Sequence, residues 1–170
     1  DQDCPLAQAR SLGRALGGFA EAFDRLDPDV VLVLGDRGEM LAAATAANYM
    51  GVAVGHIHGG EVSGHIDGTL RHAITKLSHL HFCATASAER RILNLGEELW
   101  RVFRVGAPAL DRILKADYTS GEELAERYGL DLEQPLILVL QHPISTEIDK
   151  AAAQMKATLD DGLLGEVVTM

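Results

Sequence analysis

The chain has 170 residues, 47% of them hydrophobic, and 15 Lys plus Arg against 25 Asp plus Glu give a formal net charge of −10. That suffices for the core of one domain, or of one domain and part of another, while an acidic balance spread along the chain argues against non-specific binding to nucleic acid or to a membrane surface, which needs a basic patch. No apolar run approaches the ~20 residues of a membrane helix, and the first residues lack a signal-peptide layout. Two cysteines, Cys4 and Cys83, make neither a disulfide framework nor a zinc site, so a cytoplasmic protein with reduced thiols is expected.

In chain order, Pro5 to Leu26 carries apolar residues at helical spacing (Leu12, Leu16, Phe19, Ala20, Phe23), and Asp27-Pro28-Asp29 ends it. Val30 to Leu34 reads VVLVL, a run that fits a strand buried on both faces of a parallel sheet. Glu39 to Tyr49 then predicts an Ala-rich helix, and the cycle repeats: strand Val52 to Ile57, helix Ile66 to Ser78, strand Leu80 to Ala84, helix Ser87 to Leu95, strand Val102 to Val105. Strands alternating with helices imply right-handed βαβ units and an α/β, doubly wound, Rossmann-like sheet.

Ala109 to Leu114 predicts a short helix, and a capping box at Ser120 and Glu123 starts another that ends near Gly129. Leu130 to Pro135 reads as a linker, Leu136 to Leu140 as a further buried strand, and Thr146 to Leu159 as a helix. The expected organisation is therefore 1–115 as most of a first Rossmann-like domain, 116–135 as connecting helix and linker, and 136–170 as the start of a second domain. One strand and one helix cannot bury themselves, so a fragment truncated at both ends is expected.

Ligands of an open parallel sheet bind at the carboxyl ends of its strands, which directs attention to the loops 35–39, 58–68 and 141–145. Asp36 can act as a carboxylate base or cap the next helix. Gly59-Gly60 lets backbone approach a ligand. Glu61 and Asp67 bracket the loop as a possible acid and base; the plainer alternatives are a solvated Glu61, and an Asp67 that begins the helix and pairs with Arg71 four residues on. Six of the 7 histidines crowd into the stretch 56–81. His56 and His58 form an H-x-H pattern that could offer a metal two ligands, with Glu61, His65 or Asp67 as a third. His72 falls on the polar side of a helix whose expected core face is Ile66, Leu70, Ala73, Ile74 and Leu77, and His79 and His81 flank the next strand as structural residues.

With LVLGDRGEMLAAATAA (32–47), HIHGGEVSGHIDGTLRHAITKLSHLHF (56–82), RVFRVGAPALDRI (101–113) and LQHPISTE (140–147) in view, the chain resembles the hydrolysing UDP-N-acetylglucosamine 2-epimerases of the sialic-acid pathway. The resemblance implies a glycosyltransferase-B-like enzyme with two Rossmann-like domains and a UDP-sugar, UDP-N-acetylglucosamine or a relative of it, in the cleft between them. It implies elimination of UDP to 2-acetamidoglucal and addition of water to give N-acetylmannosamine, with no cofactor and no metal, in a protein that is a homo-oligomer at full length. By motif, Asp36 and Asp67 are the implied acid/base residues, His142 lies near the leaving diphosphate, and Arg37, Arg71 and His72 support them. Several relatives read HIEGGE where this chain reads HIHGGE, so either Glu61 or His58 fills a position where a catalytic carboxylate can sit, and Glu61 is the reading preferred here. The other readings are an epimerase of a UDP-diacetamido sugar, a metal-dependent hydrolase using His56 and His58, and a non-catalytic domain. The 170 residues alone are expected to bind substrate poorly.

Overall fold

The computed structural model describes residues 4–63, 65–140 and 150–160. The chain divides into two compact units, Asp1–Lys115 and Ala116–Met170.

In the first unit, α1 (Pro5–Leu26) starts with a proline in its first turn and stops at Asp27, whose left-handed backbone (φ 45°) lets its N–H close on the Phe23 carbonyl. Four parallel strands follow, β1 (Val30–Leu34), β2 (Ala53–Ile57), β3 (Leu80–Cys83) and β4 (Val102–Arg104), side by side in that order. They are joined by α2 (Gly38–Tyr49), α3 (His65–Leu77) and α4 (Ala86–Asn94), the last capped by the Thr85 hydroxyl on the Ala88 N–H. A 3-10 turn, Leu99–Arg101, leads into β4, and α5 (Pro108–Lys115) closes the unit. The α/β class and the parallel sheet are those read from the sequence, with strand and helix bounds displaced by a residue or so.

The register aligns Val33, His56, His81 and Val102 across the four strands, and all four are buried. They lie under the helices. Phe23, Val33, the alanines of α2, Val54 and Ile74 make one core cluster, and Cys83, Ala88, Ile92 and Val102 make a second. α2 is Ala-rich because it packs closely against both α1 and β1. The alternate residues Val30, Leu32 and Leu34 are exposed, so β1 is covered on one face only among the described residues, not on both as its sequence suggested. The reason is topological: strands added one after another in the same direction through crossovers of one hand place every crossover helix on the same side.

The second unit contains α6 (Gly121–Tyr128) and α7 (Ala151–Asp160). The Ser120 hydroxyl accepts from the Glu123 N–H, and Gly129 ends α6 in the left-handed conformation (φ 67°). Leu136 to Leu140 is not a buried strand: the segment has no regular structure and its apolar side chains are exposed. A strand needs a neighbour for its N–H and C=O groups, and none pairs with it among the described residues. Of the expected 146–159 helix, residues 150–159 are described, and they are α-helical from Ala151 on.

Candidate active site

Gly35, at φ +79°, turns the chain out of β1, and its N–H is held by the Ile57 carbonyl (2.9 Å). His58 leaves β2 at φ 62°, an unusual conformation for a non-glycine residue, with its N–H on the Phe82 carbonyl (3.0 Å). Each loop is thus fastened to the neighbouring strand. Between them opens a pocket of about 270 Å³ lined by Leu34, Gly35, His58, Arg71, Pro108 and Ala109, at the carboxyl ends of β1 and β2, where a parallel sheet offers a ligand site.

Asp36 does not cap α2. The N-cap is Arg37, which makes no side-chain cap bond, and the Asp36 carboxylate turns instead to Arg71, 35 residues on, and accepts from the Ser63 hydroxyl (3.2 Å). The pair is mostly shielded from water, with 21% of the Asp36 side chain and 13% of the Arg71 side chain exposed, which strengthens it relative to a surface ion pair. Arg71 Nη1 also reaches the His58 carbonyl (3.5 Å), while its Nε and the Nδ1 of the half-buried His72 have no hydrogen-bond partner among the described residues. Because Arg71 is engaged by Asp36, the Asp67–Arg71 pairing suggested by their spacing is not the one formed. Asp67 stands exposed in the first turn of α3. Arg37 is exposed and forks onto Glu39, away from the pocket wall; this contact and its own backbone bond hold the Glu39 carboxyl below the usual range. Glu61 accepts from the Thr85 hydroxyl (3.3 Å) on the loop after β3 and is not among the pocket-lining residues, whereas His58 is. His142 lies outside the described residues.

The diglycine has a packing reason of its own. A β-carbon on Gly59 would stand 2.9 Å from His56 Nδ1, and one on Gly60 would stand 2.4 Å from the Ala88 carbonyl oxygen. Gly60 also sits at φ +78°, and its carbonyl accepts from Arg91. Gly60→Ala is therefore expected to cost about 3 kcal/mol, combining a left-handed backbone with a collision against helix backbone, to be read from urea unfolding midpoints.

His56 is fully buried, not free for a metal. Its Nε2–H donates to the Gly35 carbonyl (2.8 Å) and its Nδ1 lies 3.1 Å from Thr75 Oγ1. His58 is already beyond the end of β2, so the two rings do not share a strand face, and among the described residues no three His, Cys, Asp or Glu side chains are grouped to hold a metal. Burial pushes the His56 imidazole down to about 4, against the pull of the Gly35 carbonyl. Between the ordinary value of 6.5 and about 4, the unfolded chain binds a proton that the folded chain refuses, so stability falls as pH drops through this window, by roughly 3 kcal/mol when complete. His56→Gln should flatten that slope in unfolding experiments from pH 7 to 4.

α3 is rotated relative to the expected core face. Ile66 is 59% exposed, whereas Ile74, Thr75 and Ser78 are buried, because Thr75 faces His56. Ser63 and Thr75 are site residues that sequence reasoning missed; a hydroxyl on the buried side of α3 was the available signal for Thr75. A second polar cluster lies away from the pocket: Glu97, nearly inaccessible, accepts from Lys76, His81 Nε2 (3.2 Å) and Arg101 (2.9 Å). Burial alone would raise the Glu97 carboxyl, but Lys76 and His81 outweigh it and hold it low; burial pushes the His81 imidazole down, opposed by Glu97.

Residues 2–165 match the sequence profile of the UDP-N-acetylglucosamine 2-epimerase family. A UDP-N,N'-diacetylbacillosamine 2-epimerase (hydrolyzing) of Legionella pneumophila is 43% identical over 157 residues, which are 92% of this chain and 42% of that protein. A UDP-N-acetylglucosamine 2-epimerase of Neisseria meningitidis is 38% identical over 136 residues, 80% of this chain and 36% of that protein. Among solved structures, the UDP-GlcNAc 2-epimerase of Methanocaldococcus jannaschii in complex with UDP-GlcNAc and UDP superposes with a TM-score of 0.59 at 28% identity, over 61% of this chain and 30% of that one. The putative UDP-N-acetylglucosamine 2-epimerase of Listeria monocytogenes superposes with a TM-score of 0.62 at 25% identity, over 72% of this chain and 34% of that one. The chain spans about 40% of the length of the two curated relatives described here. No helix of the described residues is long and apolar enough to cross a membrane. From a profile match over nearly its whole length, a parallel α/β sheet that superposes on solved epimerases, and an Asp36–Arg71 pair at the pocket where such a sheet takes its ligand, the chain belongs to the UDP-N-acetylglucosamine 2-epimerase family.

Proposed function

We propose that the protein at its natural full length is a hydrolysing 2-epimerase of a UDP-linked 2-acetamido sugar. The observation that carries the reading is that Arg71 and His58 line one pocket and that Asp36, beside it, holds the Arg71 guanidinium. A base takes the proton from C2 of the sugar, the C1–O bond to UDP breaks, and the glycal and UDP result. Water then adds its hydroxyl to C1 while C2 receives a proton on the opposite face, giving the free 2-epimer. Asp67 and Asp36 exchange these protons, and Arg71, already oriented by Asp36, turns its guanidinium charge toward the departing anion. In this reading His58, on the pocket wall, carries the acid/base role for which Glu61 was preferred from the sequence.

A second reading of the substrate, a UDP-diacetamido-trideoxyhexose, is favoured by the 43% identity to the Legionella enzyme named for such a sugar. Incubation with UDP-N-acetylglucosamine and with the UDP-diacetamido sugar in parallel, with UDP separated by anion exchange, tests both. UDP release from one of them is the expected result; release from neither overturns the reading.

A further inference from the structure

We propose that His56 and Thr75 are positioning residues that set both loops of the pocket and thereby hold Asp36 against Arg71; this rests on the function proposed above only for its kinetic consequence. His56 is completely buried beneath the site and touches both loops at once. Its Nε2 bonds the Gly35 carbonyl at 2.8 Å, immediately before Asp36, and its Nδ1 edge is the surface on which Gly59 packs. A carbonyl oxygen only accepts, so the proton sits on Nε2, and a neutral ring then has Nδ1 free to accept. The Thr75 hydroxyl lies 3.1 Å from Nδ1 and donates to the Arg71 carbonyl one turn earlier on α3 (3.0 Å), so its single proton is shared between these two acceptors. The imidazole therefore couples the turn carrying Asp36 to the helix carrying Arg71. Without the Thr75 hydroxyl, Nδ1 is left buried with no donor, and the ring is no longer tied to α3. Buried polar groups are costly to leave unpaired, so the loop moves to find another partner, and the Asp36–Arg71 pair opens.

The test compares Thr75→Val, which keeps the shape and removes the hydroxyl, with Thr75→Ser, which restores it, in the protein at its natural full length. Thr75→Val is expected to lower kcat for UDP release by about 10- to 100-fold, the scale of a small misplacement at a reacting centre, with KM changed less than about twofold. Thr75→Ser should recover activity to within about threefold, and in an Asp36→Asn background Thr75→Val should add no further loss, because the interaction it supports is already gone. Wild-type kcat in Thr75→Val, equal losses in both variants, or additive losses with Asp36→Asn would overturn the proposal. A second readout does not need the reaction: in ¹⁵N-labelled protein His56 should show the neutral Nε2–H form, and the Arg71 guanidinium N–H signals should be protected from exchange in wild type and Thr75→Ser but not in Thr75→Val. Protected Arg71 signals in Thr75→Val refute the positioning role. The predicted exchange pattern in a protein that releases no UDP leaves the positioning intact and sinks the proposed reaction instead.

Discussion

Asp67→Asn in the protein at its natural full length is expected to lower UDP release about 1,000-fold, a rise of about 4 kcal/mol in the barrier, within the range set by loss of a positioned acid or base. Asp67 is exposed in the first turn of α3, one turn before Arg71 on the same helix. Its spacing would ordinarily tie it up with Arg71, but Asp36 has taken that guanidinium, so its carboxylate is not neutralised there. The amide has the same shape and cannot exchange the proton, so the loss should fall on kcat with little change in thermal stability, as an exposed substitution usually gives. Steady-state UDP release and a thermal melt on the same preparation check it; near-normal turnover removes Asp67 from the mechanism.

Glu97→Ala is expected to destabilise the first unit by about 3 kcal/mol, the lower end for removing one partner of a buried charged group. The Glu97 side chain is 2% exposed and is met by His81 at 0%, Arg101 at 24% and Lys76 at 53%. Lys76 can return to water when its partner is removed. His81 and Arg101 cannot do so fully, and they are left around a void where the carboxylate stood. Because neither Glu97 nor any of its three partners lines the pocket, UDP release per folded molecule should persist while the urea midpoint falls. An unchanged midpoint would mean that the cluster is stabilising no more than a surface network.

Much of this fold was legible because each βα unit carries its own punctuation. Asp27-Pro28-Asp29 ends α1 at the predicted residue, and short apolar runs between turns mark β1 to β3. The run Leu136 to Leu140 has the same local signature yet forms no strand, since strand formation depends on a neighbour that no local pattern reports. The site divides in the same way. That candidate loops lie at the carboxyl ends of the strands followed from the alternation of strands and helices. The partner of Asp36, though, stands 35 residues away, where only the register of β1 with β2 and the rotation of α3 decide that Arg71 arrives there rather than pairing with Asp67. His56 looked like a metal ligand from its H-x-H spacing; its burial, and the carbonyl and hydroxyl that take its two nitrogens, are properties of the folded chain. The glycines of the loop were read as letting backbone approach a ligand; their packing against Ala88, Ile92, His56 and Thr75 is a second reason for them that only the folded chain displays.

The most direct test of the hydrolysing 2-epimerase reading is the reaction run in D₂O with each of the two UDP-sugars, followed by proton NMR. The account predicts equimolar UDP and a free 2-epimer sugar carrying one deuterium at C2 in one of the two reactions. A product that keeps its nucleotide, or a released sugar that retains the C2 proton and its original configuration, would contradict it.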